Sequence, residues 1–279
     1  HCKACRPRHW HRSLSIGARR YAMVRGGSAE AMVSSPLHFA RFEFKYVLRA
    51  QKRREVESDL LYFLEYDPFV EHRDNHRYFV RSLYFDDPNF TAFHDKIDGL
   101  HSRSKFRLRT YAFDSKETVP IFLEIKGRHN NLVFKHRTPV QREGIPWSAL
   151  SAEDLITILL EKAEKSEVLD QFSFDLYRKN LQPVALIDYE RRPYISRYDP
   201  DFRLTFDEQL TAAKTISLFP GGRSTSRKMI AGYTVLEVKF RHHMPSWFHQ
   251  VIQAHELRRI SISKIVTGME TLGMAFDEN

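Results

Sequence analysis

The sequence predicts an α+β fold: a mostly antiparallel sheet of seven or eight strands, charged on one face and covered by helices on the other. Three observations carry this reading. First, Glu-apolar-Lys recurs at Glu43-Phe44-Lys45, Glu124-Ile125-Lys126 and Glu237-Val238-Lys239, each within an alternating run. Side chains two apart on a strand share a face, so each Glu and its Lys point one way and the apolar residue points the other. Second, Arg103, Lys105, Arg107 and Arg109 alternate with Ser104, Phe106 and Leu108. That arrangement stacks cations along about 20 Å of one strand face; such a face needs solvent screening or a bound polyanion. Third, helical stretches interrupt the strands without regular strand-helix alternation, which argues against a doubly wound parallel sheet.

The elements follow in order. A strand runs from near Leu37 to about Leu48, and a helix from about Ala50 to Tyr66 places Val56, Leu60, Leu61 and Leu64 on one face before Asp67-Pro68 stops it. Arg77 to Phe85 alternates as a strand. Asp86-Asp87-Pro88-Asn89 is a helix-start signal for a short helix to about Ile97, ended near Gly99. Strands follow at about 103–112, 120–127 and 131–138. The stretch 147–180 is helical, with caps at Ser151 and Ser166 and an apolar stripe through Leu155, Ile158 and Leu159. Strands return at 183–192, 201–207 and 232–241, with a Gly221–Ser226 loop between the last two. Pro245-Ser246 opens a helix to about Arg258, and a last helix starts near Ser263.

Composition narrows the function. The chain of 279 residues carries a formal charge of +9, which favours anionic partners: nucleotides, polyphosphate, nucleic acid or an acidic membrane. No apolar run reaches the length of a transmembrane helix. The two cysteines, Cys2 and Cys5, form one C-x-x-C beside His1, His9 and His11; a second ligand pair is missing, although the histidines keep zinc an open alternative. A reducing, cytoplasmic setting fits this cysteine usage. Residues 1–36, basic and aperiodic, read as a disordered leader or as translated sequence ahead of the true start, and 37–279 as a single domain. There is no P-loop and no G-x-G-x-x-G, so nucleotide chemistry here must use side-chain charge.

On the charged faces, Arg41, Glu43 and Lys45 align, as do Phe122, Glu124 and Lys126, then Tyr189 with Arg191, then Arg203, Thr205 and Asp207, and finally Glu237, Lys239 and Arg241. If the apolar faces take the helices as an outer cover, the charged faces look inward around a narrow lumen. Phosphoryl transfer needs aligned oxygens, charge neutralisation and a divalent metal, with little covalent chemistry from the protein. Arg and Lys match phosphate, and carboxylate oxygen matches a hard cation. The plain alternative for each Glu-Lys pair is a surface ion pair worth about 0–1 kcal/mol. His242-His243 reads as a surface loop pair, and Trp247-Phe248 as core packing.

Arg41-Phe42-Glu43-Phe44-Lys45-Tyr46, Ser82-Leu83-Tyr84-Phe85-Asp86, Lys105 to Tyr111, Leu123 to Lys126, Tyr189-Glu190-Arg191, Arg203 to Asp207, Leu236 to Lys239 and Ser263-Lys264 together resemble the VTC domain. This is the polyphosphate polymerase domain of the vacuolar transporter chaperone type, a triphosphate tunnel metalloenzyme. The resemblance implies an antiparallel eight-stranded β-barrel tunnel covered by helices. It also implies transfer of the γ-phosphate of ATP to a growing polyphosphate chain with Mn2+ or Mg2+. It places Lys45, Arg107, Arg109, Lys126, Arg191, Arg203 and Lys264 at phosphate-binding, catalytic positions. Arg41, Lys105, Lys239 and Tyr189 are expected to bind substrate, and Glu237, with Glu124 and Glu43, to bind metal. Expected partners are ATP and polyphosphate rather than nucleic acid, with a membrane-protein partner outside this chain as one route to the inner face of a membrane.

One departure bears on the activity. Hydrolases of the superfamily begin with Glu-x-Glu-x-Lys, and here Arg41 replaces the first Glu. A lining poorer in carboxylate and richer in cation favours holding a long anion over releasing phosphate. Two rivals stay open: a triphosphatase acting on inorganic or nucleoside triphosphate, and a non-catalytic polyphosphate-binding module.

Overall fold

The computed structural model describes residues 42–129 and 132–276; the 1–36 leader and Arg41 lie outside them. The described chain runs β1 (Phe42–Arg49), α1 (Ala50–Leu60), β2 (Leu64–Tyr66), β3 (Tyr78–Asp86), α2 (Thr91–Ile97), β4 (Ser102–Thr110), β5 (Ile121–His129) and β6 (Leu132–Val140). It continues with α3 (Ala152–Lys162), α4 (Glu167–Lys179), β7 (Gln182–Ser196), β8 (Arg203–Ala213), β9 (Ser226–Lys228), β10 (Tyr233–Phe240), α5 (Ser246–Ala254) and α6 (Lys264–Leu272).

All ten strands join one antiparallel sheet in the order β1-β10-β8-β7-β3-β4-β5-β6, with β2 added to β7 and β9 to β8. The expected closed eight-stranded barrel is corrected here: among the described residues β1 and β6 are not paired. The physical reason lies at the free edge of β1. The Ile260 amide donates to the Lys45 carbonyl at 2.9 Å, so the segment before α6 takes a bond that a closing strand would need. Side chains nonetheless bridge the concave face, because Lys126 of β5 reaches Glu43 of β1 at 3.1 Å.

The apolar residues that alternate with the charged positions face outward, under helices. Tyr46, Leu48, Leu204, Phe206, Leu236, Val238 and Phe240 pack against Val56 and Leu60 of α1 and Phe248 and Val251 of α5. Leu83, Phe106, Leu108, Leu123 and Ile125 pack against Leu155 and Leu159 of α3 and Phe172 and Leu176 of α4. Each such buried side chain is worth about 1.5–3 kcal/mol relative to exposure. Ser151 and Ser166 cap α3 and α4 as their sequence positions require; the first forms a full capping box with Asp154. Trp247 stacks on Phe63 with ring centroids 4.7 Å apart, which is core packing.

Two elements differ from the sequence reading. The helix after β1 stops at Leu60 rather than Tyr66, because Leu64–Tyr66 pairs with Tyr194–Ser196 of β7 and buries Leu64 there. Tertiary pairing thus overrides a continuous helical periodicity. The last helix, α6, does not join the outer cover. Gly268 of α6 lies so close to the inner face that an added Cβ would clash with Ile187 Cδ1 and sit 3.4 Å from Ala212 Cβ. Val80, Ile187, Leu210, Ala212 and Val235 form the apolar floor on which it rests.

Candidate active site

Strand register assembles the charged inner face. The antiparallel pairing of β1 with β10 sets Lys45 opposite Glu237 and Glu43 opposite Lys239. Two Glu-x-Lys motifs paired this way cross their charges, which favours the register. Lys45 Nζ lies 3.0 Å from Glu43 and 4.0 Å from Glu237, Lys239 Nζ lies 2.7 Å from Glu237, and Lys126 Nζ donates to both oxygens of Glu43 at 3.2 and 3.1 Å. On β8, Asp207 is fully buried and takes a bidentate pair from Arg191 at 2.6 and 2.7 Å. Lys264, at the first position of α6, reaches Asp207 at 2.6 Å and Glu237 at 3.9 Å. The result is one continuous series of ions: Arg191, Asp207, Lys264, Glu237, Lys45, Glu43, Lys126.

A second cluster lies on β4 and β5. Arg107 donates through Nε to Glu124 at 2.8 Å and through Nη1 to the Tyr84 hydroxyl at 3.0 Å. Lys135 of β6 lies 2.9 Å from the other oxygen of Glu124, and Arg109 lies 3.9 Å from the carboxylate. Arg109 donates to Ser82 Oγ and, at 3.1 Å, to the Tyr189 hydroxyl. Tyr189 joins the two clusters, since Arg191 and Lys264 lie 5.3 and 4.9 Å from its ring centroid.

These surroundings fix the charge states. Burial and the neighbouring Glu237 raise the Glu43 carboxyl, but Lys126, Lys45 and Lys239 outweigh them and hold it at about 2. Burial also raises Glu124, and Arg107, Arg109 and Lys135 bring it down to about 2. Glu237 is held well below the usual carboxylate range against its burial by Lys239, Lys45, Lys264 and Arg191. Lys264 is raised because Asp207, Tyr189 and Glu237 overcome its burial. Lys105 moves the other way: burial first, then Lys126, Lys45, Arg107 and Lys96, push it well below an ordinary lysine.

Glu43, Lys45, Lys105 and Lys126 open into a cavity of about 380 Å³. The structure therefore brings together Glu43, Lys45, Lys126, Arg191, Glu237, Lys239 and Lys264, and separately Arg107, Arg109, Tyr189 and Glu124. Arg203 stands exposed at the start of β8, opposite Lys239 in register. Of the three glutamates expected to bind metal, Glu124 is held within its own cluster by Arg107 and Lys135 and does not join Glu43 and Glu237. Among the described residues no group of three His, Cys, Asp or Glu could hold a metal ion by itself. Sequence reasoning missed Asp207, Tyr84, Ser82 and Lys135 as site residues. The signal was present for two of them, because Asp207 follows Arg203 and Thr205 on one face and Lys135 alternates with Arg137 on β6.

No curated protein matches the chain. Among solved structures, a Bacillus halodurans protein described as a candidate adenylate cyclase aligns at 13% identity, TM-score 0.46, over 81% of this chain and 96% of its own. The PH1819 protein from Pyrococcus horikoshii OT3 aligns at 12% identity, TM-score 0.43, over 82% and 98%. The family model of the VTC domain matches residues 40–273, a span that runs from the start of β1 through the end of α6 and takes in every strand that supplies the charged face. The chain belongs to the VTC domain family.

Proposed function

We propose that this protein is an ATP-dependent polyphosphate polymerase whose catalytic centre is the inner face of the sheet. The observation that carries the reading is the buried ion series from Arg191 to Lys126, in which cations are pre-positioned by carboxylates and open into a cavity. A polyanion entering there exchanges carboxylate partners for phosphate oxygens, so the cations need little reorganisation. In the reaction, a terminal oxygen of the polyphosphate chain attacks the γ-phosphorus of ATP; the bond from that phosphorus to the β,γ-bridging oxygen breaks, and ADP leaves. Lys45, Lys126, Arg191 and Lys264 bind and align the phosphates, Arg107 and Arg109 neutralise charge on the transferred group, and Tyr189 fixes Arg109.

A divalent metal fits this site in one manner. Glu237 and Glu43 are ionised hard-oxygen donors separated by Lys45, and one or two carboxylates completed by substrate phosphates is the usual arrangement for Mg2+. Bound there, Mn2+ or Mg2+ would supply charge neutralisation between phosphoryl oxygens. Expected partners are ATP and polyphosphate. Among the described residues no helix is long and apolar enough to cross a membrane.

The test uses the full chain with ATP and Mn2+, a gel stained for polyphosphate and a parallel assay of free phosphate. A ladder of long chains supports the polymerase. Free phosphate without a ladder assigns a triphosphatase instead, and polyphosphate binding with neither product assigns a binding module.

A further inference from the structure

The inner face ends in two different chemistries. At one end, under the strap 259–263 whose Ile260 amide bonds to β1, the described residues lining the cavity include no aromatic ring. At the other end rings gather. The inward line of β4 runs Lys105, Arg107, Arg109 and then, one residue past the strand, Tyr111. Tyr78, the first residue of β3, lies opposite Arg191 of β7 in register. The Tyr78 and Tyr111 ring centroids are 5.6 Å apart. Phe69, from the loop between β2 and β3, completes the group at 5.1 Å from Tyr78 and 6.4 Å from Tyr111.

Core packing does not account for Phe69. It is 54% exposed, although Val70 beside it is fully buried. The loop holds it outward: the Phe69 amide donates to Asp67 Oδ1 at 3.0 Å and the Val70 amide to the Asp67 carbonyl at 2.9 Å. A ring so exposed adds little to folding. Arg73 stacks over it, 4.7 Å from the centroid, so the ring accepts a planar partner. Burial pushes the Tyr78 hydroxyl up to about 12 against the pull of Arg191, which keeps it neutral beside phosphate oxygens. Every nucleobase has a π-face to stack on such rings, and a linear phosphate has none. The rings also adjoin the arginines of the phosphate site, since Tyr111 is two residues from Arg109 and Tyr78 is in register with Arg191.

We propose that Phe69, Tyr78 and Tyr111 form a stacking subsite for the nucleobase of the phosphate donor, so that this end of the inner face distinguishes a nucleoside triphosphate from inorganic phosphate chains. The inference rests on the ATP-dependent reading above. The test is calorimetric titration of the full chain with ATP and with inorganic tripolyphosphate, in EDTA so that no transfer consumes the ATP. Wild type is compared with Phe69→Leu, with Phe69→Trp, and with Tyr177→Leu as a control at a 79% exposed position on α4. Phe69→Leu should lose about fivefold or more in ATP affinity, with tripolyphosphate affinity unchanged. Phe69→Trp, which keeps a stacking surface, should retain ATP affinity, and the control should match wild type for both ligands. Unchanged ATP affinity in Phe69→Leu, equal loss for both ligands, the same loss in Phe69→Trp, or the same loss in the control overturns the subsite. Wild type binding tripolyphosphate but not ATP also overturns it. Failure of wild type to bind either ligand instead defeats the ATP and polyphosphate reading itself.

Discussion

The two carboxylate clusters of the inner face start from the same local motif and end in different electrostatic designs. On β1 and β10, Glu43 and Glu237 share lysines with one another, so each carboxylate is one member of a series that opens into the cavity. On β5, Glu124 is fully buried and gripped by Arg107 and Lys135, forming a closed clamp. The difference is in the partners. Lysine presents a single mobile charge that can change partner, whereas arginine presents a rigid fork that fixes a carboxylate. We read the series as the exchangeable part of the site and the clamp as its frame.

That contrast can be broken most strongly at the clamp. Glu124→Gln should destabilise the fold by about 3–5 kcal/mol, because Arg107 and Arg109 are left buried without their countercharge; urea denaturation measures it. A loss below 1 kcal/mol, on the scale of a surface pair, would remove the frame role. Glu237→Gln is the converse. Lys239 and Lys45 keep partial access to water, so the melting temperature should hold, while the rate of the proposed polymerisation should fall by about 10²–10³ if Glu237 is an ionised donor at the reacting phosphates. Full activity in that variant would end its assignment to the site.

Gly268→Ala sharpens the series at its α6 end. The added methyl meets Ile187 and Ala212, an overpacking cost of about 1–3 kcal/mol, partly offset by about 1 kcal/mol of helix propensity. The net expectation is a loss of about 1 kcal/mol with a severalfold fall in rate, since α6 carries Lys264 onto Asp207 and Glu237 one turn away. An unchanged rate would show that α6 need not sit so close.

Acid should weaken both clusters in one pH window. Glu43 and Glu124 titrate near 2 when folded against an ordinary 4.5, so the unfolded chain binds their protons first as pH falls. Their stabilisation is fully present above pH 4.5 and is lost as pH drops through about 2. Denaturation midpoints at pH 7, 4.5, 3 and 2 measure the decline, and Glu43→Gln and Glu124→Gln should each flatten it. An equally steep decline in both variants would place the acid sensitivity elsewhere.

Much of the fold was legible from local pattern. Alternation located β1, β3, β4, β5, β6, β7, β8 and β10 and assigned the inward face of Lys45, Arg107, Lys126, Arg191 and Glu237, because a side-chain period of two is a property of the strand itself. Ser151 and Ser166 announced α3 and α4 because capping is decided within a single helical turn. β2 was hidden, since Leu64–Tyr66 prolongs a helical pattern and only β7 makes it extended. β9 was hidden within the loop after β8, three residues long and paired only with that strand.

The sequence by itself determined which side chains share a face, the excess of cations over carboxylates on that face, and the family to which the chain belongs. Tertiary structure alone decided which carboxylate meets which cation. Glu43, Glu124 and Glu237 are locally interchangeable; register places Arg107 beside one of them and lysines beside the other two. It also decided that the sheet stays open at β1, where the strap takes the Lys45 carbonyl, and that α6 lies inside the sheet to deliver Lys264. Periodicity is set by neighbours along the chain, whereas ion pairing and closure join residues up to hundreds of positions apart, whose approach depends on the twist and register of every strand between them.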